Sequence, residues 1–132
     1  MADKNYAFSI NDVLRGEEAN NIILSENMYN DEPPSGKEYL MVNVQVEYRE
    51  GDGKTSISSS DVSIFASGEE VEENYAVLPN EYEEFSVTGE VMPGATKNGW
   101  MTYIVPSDKN IIVEYQPNMF IDKAGYIEIP NS

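Results

Sequence analysis

The sequence has no cysteine and no histidine among its 132 residues. Disulfides, zinc-thiolate centres and thiol nucleophiles need cysteine, and a Ser-His-Asp triad needs histidine, so composition excludes all of them. Glycine-rich phosphate loops, Walker sequences and nucleophile elbows are missing as well. We therefore expect a protein with no catalytic residue and no cofactor, and not an enzyme.

Basic residues are also scarce in this chain. Eight lysines and arginines stand against 24 acidic residues, which gives a net charge of −16. Nucleic acids and anionic membrane surfaces attract clustered cations, so neither is an expected partner. The acidic excess keeps the protein soluble through repulsion, and it also suits a bound cation or a basic partner.

Long apolar runs are absent, because no stretch approaches the ~20 residues of a membrane span. The first four residues, Met1 to Lys4, lack the apolar region of a signal peptide. We expect either that the protein stays inside the cell or that a signal peptide has been removed from this sequence. Residues 1–5 are expected to be disordered or left from cloning.

Apolar and polar residues alternate along much of the chain. The clearest case is 38–50, where Val42, Val44 and Val46 share one face and polar residues lie between them. A period of two predicts a strand with one buried and one solvated face. Similar patterns predict further strands. They lie at residues 6–14, 62–67, 71–78, 84–91, 99–106, 110–115, 119–122 and 125–129.

Glycine and proline separate these segments, as in the predicted turns at 50–54, 68–70 and 92–95. Residues 16–21 are predicted to be a loop or a short helical turn that leads into a short strand at 22–24. No segment of ten or more residues shows helical periodicity, and strands recur at spacings typical of a sandwich or barrel. The sequence therefore predicts a single all-β domain over 1–132.

Acidic residues cluster at Glu69, Glu70, Glu72 and Glu73, and Asp52 lies at the tip of a predicted hairpin. Hard cations such as Ca²⁺ prefer several carboxylate oxygens, so these five residues are candidate metal ligands. Their spacing matches no EF-hand loop. Solvated acids at a loop or a strand edge, where charge blocks edge-to-edge aggregation, explain the same residues.

Trp100 is the single tryptophan and a candidate partner surface. If Met101, Tyr103 and Val105 face the core, Trp100 points to the outer face of the same sheet. An indole in that position is either covered by a neighbouring segment or open to a saccharide or peptide. The sequence leaves both arrangements open.

Three segments together resemble a known family. They are GKEYLMVNV at 36–44, GEVMPGAT at 89–96 and GWMTYIVP at 99–106. Their order and spacing are similar to those of a domain-of-unknown-function family of Gram-positive extracellular lipoproteins, related to a secreted mycobacterial immunoprotective antigen. The resemblance implies an immunoglobulin-like antiparallel β-sandwich, here of about seven to nine strands, without enzyme activity.

The resemblance also implies an extracellular, cell-surface location through a lipidated N-terminal cysteine, which this sequence lacks. The first functional hypothesis is therefore a non-catalytic surface domain that binds an unknown protein or envelope ligand. Three rival hypotheses are a structural surface module without a ligand, a Ca²⁺-stabilised module, and a small hydrolase that uses paired carboxylates.

Overall fold

The computed structural model describes residues 5–26, 30–57, 61–74, 78–79, 81–85, 90–115 and 125–130. These residues form nine strands and one short helix, which confirms the predicted all-β sandwich. The elements are β1 (Asn5–Arg15), α1 (Glu17–Glu26), β2 (Lys37–Glu50), β3 (Thr55–Ser56), β4 (Val62–Ala66), β5 (Glu69–Val71), β6 (Glu90–Val91), β7 (Thr96–Pro106), β8 (Ile111–Tyr115) and β9 (Gly125–Ile129).

Two antiparallel sheets make up the sandwich. One has the strand order β1-β2-β7 and the other has the order β5-β4-β8-β9, while β3 and β6 form a separate small ribbon. The alternation in β2 corresponds to burial, because Val42, Val44 and Val46 are at most 1% exposed. They pack with apolar residues of β7, β4 and β8. The core therefore lies between the two sheets, as the period of two predicted.

A β-bulge interrupts β1. The pairing with β2 shifts between Ile10 and Asp12, so Asn11 is an extra residue without an opposite partner. Val13 is therefore opposite Val42 and Arg15 is opposite Leu40, and both face the core. Strict alternation from Ile10 would have turned Asp12 and Leu14 inward instead.

The helix α1 corrects the prediction of a short strand at 22–24. Its first turn follows Gly16, whose φ of 75° suits glycine, and the Asn20 amide donates to the Gly16 carbonyl over 2.8 Å. Ala19 and Ile23 are fully buried against the outer face of the β1-β2-β7 sheet. Ten residues offer too short an apolar face for helical periodicity to be recognised in the sequence.

Two further predictions differ from the structure or lie outside it. Glu69 and Glu70 were expected in a turn, but they pair with Ala66 and Phe65 as strand β5, and the turn is confined to the two residues before them. The predicted strand at 119–122 lies outside the described residues, as do residues 1–4, 75–77 and 86–89 of other predicted segments. Asn5 is the first residue of β1.

Arg15 joins the two sheets at one end of the core. Its Nε donates to Glu38, and the two side chains are only 5% and 7% exposed. Its Nη1 donates to the Pro130 carbonyl over 2.8 Å, and its Nη2 donates to the carbonyls of Pro106, at 2.9 Å, and Lys109. Because Pro106 ends β7 and Pro130 follows β9, one guanidinium holds both sheets together.

Removing one partner of the Arg15–Glu38 ion pair should greatly lower the protein's stability. Replacing Arg15 by Met removes the arginine partner of the buried Glu38 carboxylate, so we expect a loss of about 3 kcal/mol in the free energy of unfolding. The Arg15→Met/Glu38→Met double variant should lose less, because no charge remains buried. Guanidinium chloride unfolding measures both losses. Equal losses in the two variants would show that the ion pair is not what Arg15 contributes.

Aromatic rings fill the other end of the core. Tyr6 stacks on Tyr48 at 5.3 Å between ring centroids, and Phe8 stacks on Tyr115 at 4.8 Å. The Tyr48 hydroxyl donates to the Gly53 carbonyl over 2.9 Å. The buried Tyr115 hydroxyl has no hydrogen-bond partner within the described part of the chain. A buried hydroxyl in that state carries a desolvation cost that no bond offsets.

Removing that hydroxyl should therefore leave stability unchanged or raise it. We expect Tyr115→Phe to add up to about 1 kcal/mol to the free energy of unfolding. The matched control is Tyr39→Phe, because Tyr39 is equally buried but donates its hydroxyl hydrogen to the Asp31 carbonyl. That variant should lose about 1 kcal/mol. Denaturant titrations in which Tyr115→Phe lost as much as Tyr39→Phe would contradict this account.

The buried phenols should also make the fold sensitive to alkali. Burial raises the pKa of Tyr115, with additional effects of Asp61 and Tyr6. Burial and then Asp31 raise the pKa of Tyr39. Unfolded tyrosines ionise near pH ~10, so the unfolded state loses protons that the folded state keeps above that pH. This stabilisation is complete below pH ~10 and falls as the pH rises further.

We therefore expect the denaturation midpoint to fall as the pH rises from about 10 to about 12. The fall should be shallower in Tyr115→Phe, which removes one of the raised pKa values. A midpoint that stays constant over this range in the wild-type protein would rule out the predicted dependence.

Candidate functional site

The five candidate metal ligands do not come together. Glu69 and Glu70 are successive residues of β5, so their side chains point to opposite faces of the sheet, and both are exposed. Glu73 forms a backbone bridge with Tyr103 of the other sheet, and Glu72 is exposed beside it. Asp52 lies apart in the turn after β2. Within the described ranges, no group of three or more acidic side chains could hold a metal ion.

Trp100 lies on the outer face of its sheet as predicted, but it is covered. Its side chain is 9% exposed and belongs to a second apolar cluster with Ile23, Tyr39 and Met41. Tyr82 meets the indole edge-on at 5.2 Å between ring centroids. Of the two arrangements considered for Trp100, the structure therefore has the covered one, and the indole is not an open stacking platform for a partner.

The segment that covers Trp100 is held in place by the backbone of residues 83–85. This backbone runs along the edge of β7 that does not pair with β2. The Trp100 amide donates to the Glu83 carbonyl over 2.8 Å, and the Phe85 amide donates to the Trp100 carbonyl over 3.0 Å. This close approach needs glycine at position 99, because a Cβ on Gly99 would lie 2.4 Å from the Phe85 Cα. Nothing in the sequence pattern indicated that this segment would close over the strand that follows it.

A shallow polar depression of about 260 Å³ borders this cover. It is lined by Asn43, Glu81, Glu83, Asn98, Gly99 and Trp100. Asn11 Nδ2 donates to Asn43 Oδ1 over 3.3 Å and to Gln45 Oε1 over 3.0 Å. The side-chain oxygen of Asn43, the one of these amides that lines the depression, is therefore already bonded to Asn11 of β1.

A different concave surface lies where the two sheets meet. It is an apolar groove of about 440 Å³ between β1 and β9, and we call it the edge groove. Its lining consists of Ile10, Val13, Arg15, Ile127, Glu128, Ile129 and Pro130. Because it combines an apolar lining with two charged side chains, the edge groove is the candidate functional site.

The strands beside the groove are the ends of their sheets. β1 has only β2 as a strand neighbour, and β9 has only β8, among the described residues. The outer edge of β7 is instead covered by bridges from Glu73 and Glu84, and the edge strand β5 carries Glu69 and Glu70. The edge groove is thus flanked by two strand edges that, within the described ranges, are neither bridged nor lined with successive acids.

Two polar groups mark the groove. A guanidinium has five N–H donors, and the bonds of Arg15 to Glu38, Pro130, Pro106 and Lys109 use four of them. One hydrogen of Nη1 therefore has no acceptor among the described residues. Exposed Glu128 adds a negative charge to the lining. The groove can receive an apolar group together with a hydrogen-bond acceptor, and it favours positive charge nearby.

Sequence reasoning missed this site. Val13 and Arg15 face the groove because of the bulge at Asn11, and Ile127 and Ile129 come from the last strand. The alternation in 6–14 and 125–129 was visible, but the adjacency of the first and last strands was not. A bulge has no compositional signal of its own in this segment.

Several solved structures share this fold. A candidate lipoprotein, ycdA, from Bacillus subtilis has a TM-score of 0.68 at 16% identity over 94% of this chain. The yjhA protein of Bacillus subtilis has a TM-score of 0.62 at 13% identity, covering all of this chain and 95% of that one. A functionally unknown protein from Listeria monocytogenes has a TM-score of 0.56 at 12% identity, covering 98% of this chain and 80% of that one.

These likenesses show a shared fold. The chain spans about a third of the length of the ycdA chain, 35%. No curated protein matches the sequence significantly. Where the structure describes the chain, none of its helices has the length and hydropathy to cross a bilayer. A family model described as a domain of unknown function, DUF4352, matches residues 1–125, and the chain belongs to that family.

Proposed function

We propose that this protein is a non-catalytic interaction domain that binds a partner through the edge groove. The observation that carries the proposal is an apolar groove, in a protein of net charge −16, between two strands whose outer edges have no strand neighbour among the described residues. Concave apolar surfaces with a few polar groups are the usual form of binding sites. The absence of histidine and cysteine from the sequence supports a role without catalysis or cofactor.

The apolar side chains that line the groove support it as the site. Met92 is the one large apolar side chain that is strongly exposed among the described residues, at 60%. The groove brings the half-buried Ile10, Val13 and Ile127 together at one place beside the buried Ile129. Apolar side chains that gather in a concave surface are typical of binding sites.

We further propose display at the outer surface of a Gram-positive cell through a lipidated cysteine upstream of this domain. The support is the candidate lipoprotein among the proteins of the same fold, together with the resemblance of the three sequence segments to extracellular lipoproteins. Protease treatment of intact cells tests the location. An epitope-tagged protein should be degraded while a cytoplasmic marker survives. Its full protection would contradict surface display.

Site-specific photo-crosslinking tests the binding function. A benzophenone amino acid replaces Glu128 in the groove or, as the matched control, Glu70 on β5 at the opposite edge of the same sheet, and both positions are exposed. We expect illumination in cells to give a discrete protein adduct from position 128 and not from position 70. Equal adducts or none at 128 would favour a structural module without a ligand at this groove.

A Ca²⁺-stabilised module and a small hydrolase would each behave differently from an interaction domain. The first would melt at a higher temperature in millimolar calcium than in sodium chloride of matched ionic strength, and we expect no such difference. The second would release product from a glycan panel, and we expect none. A positive result in either assay would replace the interaction proposal.

A further inference from the structure

The edge groove has the chemistry of a peptide site. Resting on the proposed function, we propose that its occupant is an extended segment of another protein, with aliphatic side chains at alternate positions and basic residues at its flanks. The segment lies along β1 and β9 and inserts aliphatic side chains between the sheets. Four features of the groove support this occupant. They concern the peptide's backbone, its side chains, its polar contact with the groove and its charge.

The two strands that border the groove favour an occupant with an extended backbone. β1 and β9 each have an outer edge without a strand neighbour among the described residues. The N–H and C=O groups along such an edge pair readily with an added strand. Both strands end at the same end of the sandwich, because Arg15 at the end of β1 donates to Pro130 just after β9. An extended segment therefore meets a groove whose long direction follows the strands.

The lining calls for aliphatic side chains at every second position. Ile10, Val13 and Ile127 are half-buried, pack against the sandwich core and line the groove. Successive side chains of an extended peptide point to opposite sides, so every second one can reach this lining. The side chains between them remain in water. This spacing distinguishes an extended segment from a helix, whose apolar face recurs every three or four residues.

The polar contact calls for a neutral acceptor. The remaining Nη1 hydrogen of Arg15 lies on a side chain that is 5% exposed and lines the groove. A backbone carbonyl of the peptide can accept it without bringing a new charge into the apolar site. A free carboxylate, such as that of a fatty acid, would approach exposed Glu128 and a protein of net charge −16. The electrostatics therefore favour a peptide over an anionic amphiphile.

The charge of the protein also decides which chain can supply the segment. A second copy carries the same charge of −16, so its edges approach against repulsion. A partner with lysine or arginine beside its apolar positions approaches with attraction, which raises the association rate and selects among partners. Exposed Glu128 in the lining offers such a flank an acid to meet.

Synthetic peptides test the occupant directly. The probe is a fluorescein-labelled peptide of alternating valine and threonine with two lysines at each end, measured by anisotropy with the intact protein. One control replaces the valines by serines, and another replaces the lysines by glutamates. We expect binding of the first peptide and at least tenfold weaker binding of both controls. Equal binding of the serine peptide would overturn the aliphatic requirement, and no binding of the first peptide would overturn the proposal.

A pair of charge reversals locates the site without disturbing the core. Glu128→Lys should weaken binding of the lysine-flanked peptide by about fivefold to tenfold, because it places like charge beside the flank. Glu70→Lys changes the net charge equally on an exposed residue at the opposite edge, and it should weaken binding by less than about twofold. Equal effects would show that the peptide responds only to net charge.

Two readouts separate this proposal from its competitors. Hydrogen exchange should show slower exchange in β1 and β9 when the first peptide is bound, and protection elsewhere would place the site away from the groove. Sedimentation should show a monomer, and a dimer disrupted by Glu128→Lys would make a second copy the occupant. A cellular crosslink at position 128 without binding of any peptide would leave the interaction function standing and reject the extended segment.

Discussion

The bulge at Asn11 sets the direction of every side chain that follows it in β1. With one residue added, Val13 and Arg15 turn toward the interior and Leu14 turns toward the helix. The side chain of Asn11 donates to amides on β2, which holds the extra residue against the sheet. Without the bulge, Leu14 would enter the core and Arg15 would point outward. The contact between the sheets and the packing under α1 therefore both depend on the bulge.

Arg15 then connects the stability of the fold to the shape of the edge groove. Its charge is compensated by Glu38 in a nearly dry end of the core, and its other bonds fix the end of β7 and the residue after β9. A buried pair of this kind adds little net stability over apolar residues, but removing one partner is costly. The pair is thus better understood as a device that fixes where the two sheets meet. The groove lies directly beside that point.

The sequence predicted those parts of the fold that depend on short-range alternation. Val42 and Val44 indicated the central strand because they point to the same buried face, and Met101 and Tyr103 did the same for β7. What alternation cannot predict is which surface covers another. Trp100 lies on the predicted face, yet its cover comes from segments outside its sheet, and their meeting is a tertiary property. Tyr82 packs edge-on against the indole, and Ile23 of α1 belongs to the same cluster.

The errors in prediction have equally local causes. Residues 22–24 are consecutive apolar residues, which fit a short strand as well as the second turn of a helix, and only packing against the outer face of the β1-β2-β7 sheet decides between them. Glu69 and Glu70 have strongly polar side chains, but an edge strand needs a partner on one side only, so β4 could recruit them. The edge groove could not be predicted, because it joins the first and last strands across a bulge.

The outer strand edges of the two sheets differ in how they are protected against pairing, and this difference connects the fold to the proposed function. An open edge invites pairing with any extended chain, and proteins usually block it with charge or with a covering segment. Here β5 carries acids and β7 is bridged at Tyr103 and Trp100, whereas β1 and β9 flank an apolar groove. Within the described part of the molecule, two strand edges are therefore protected and two are not. A selective site for an added strand requires this difference. The high negative charge of the protein further limits which segments can bind at this site, because repulsion excludes acidic segments and copies of the chain itself.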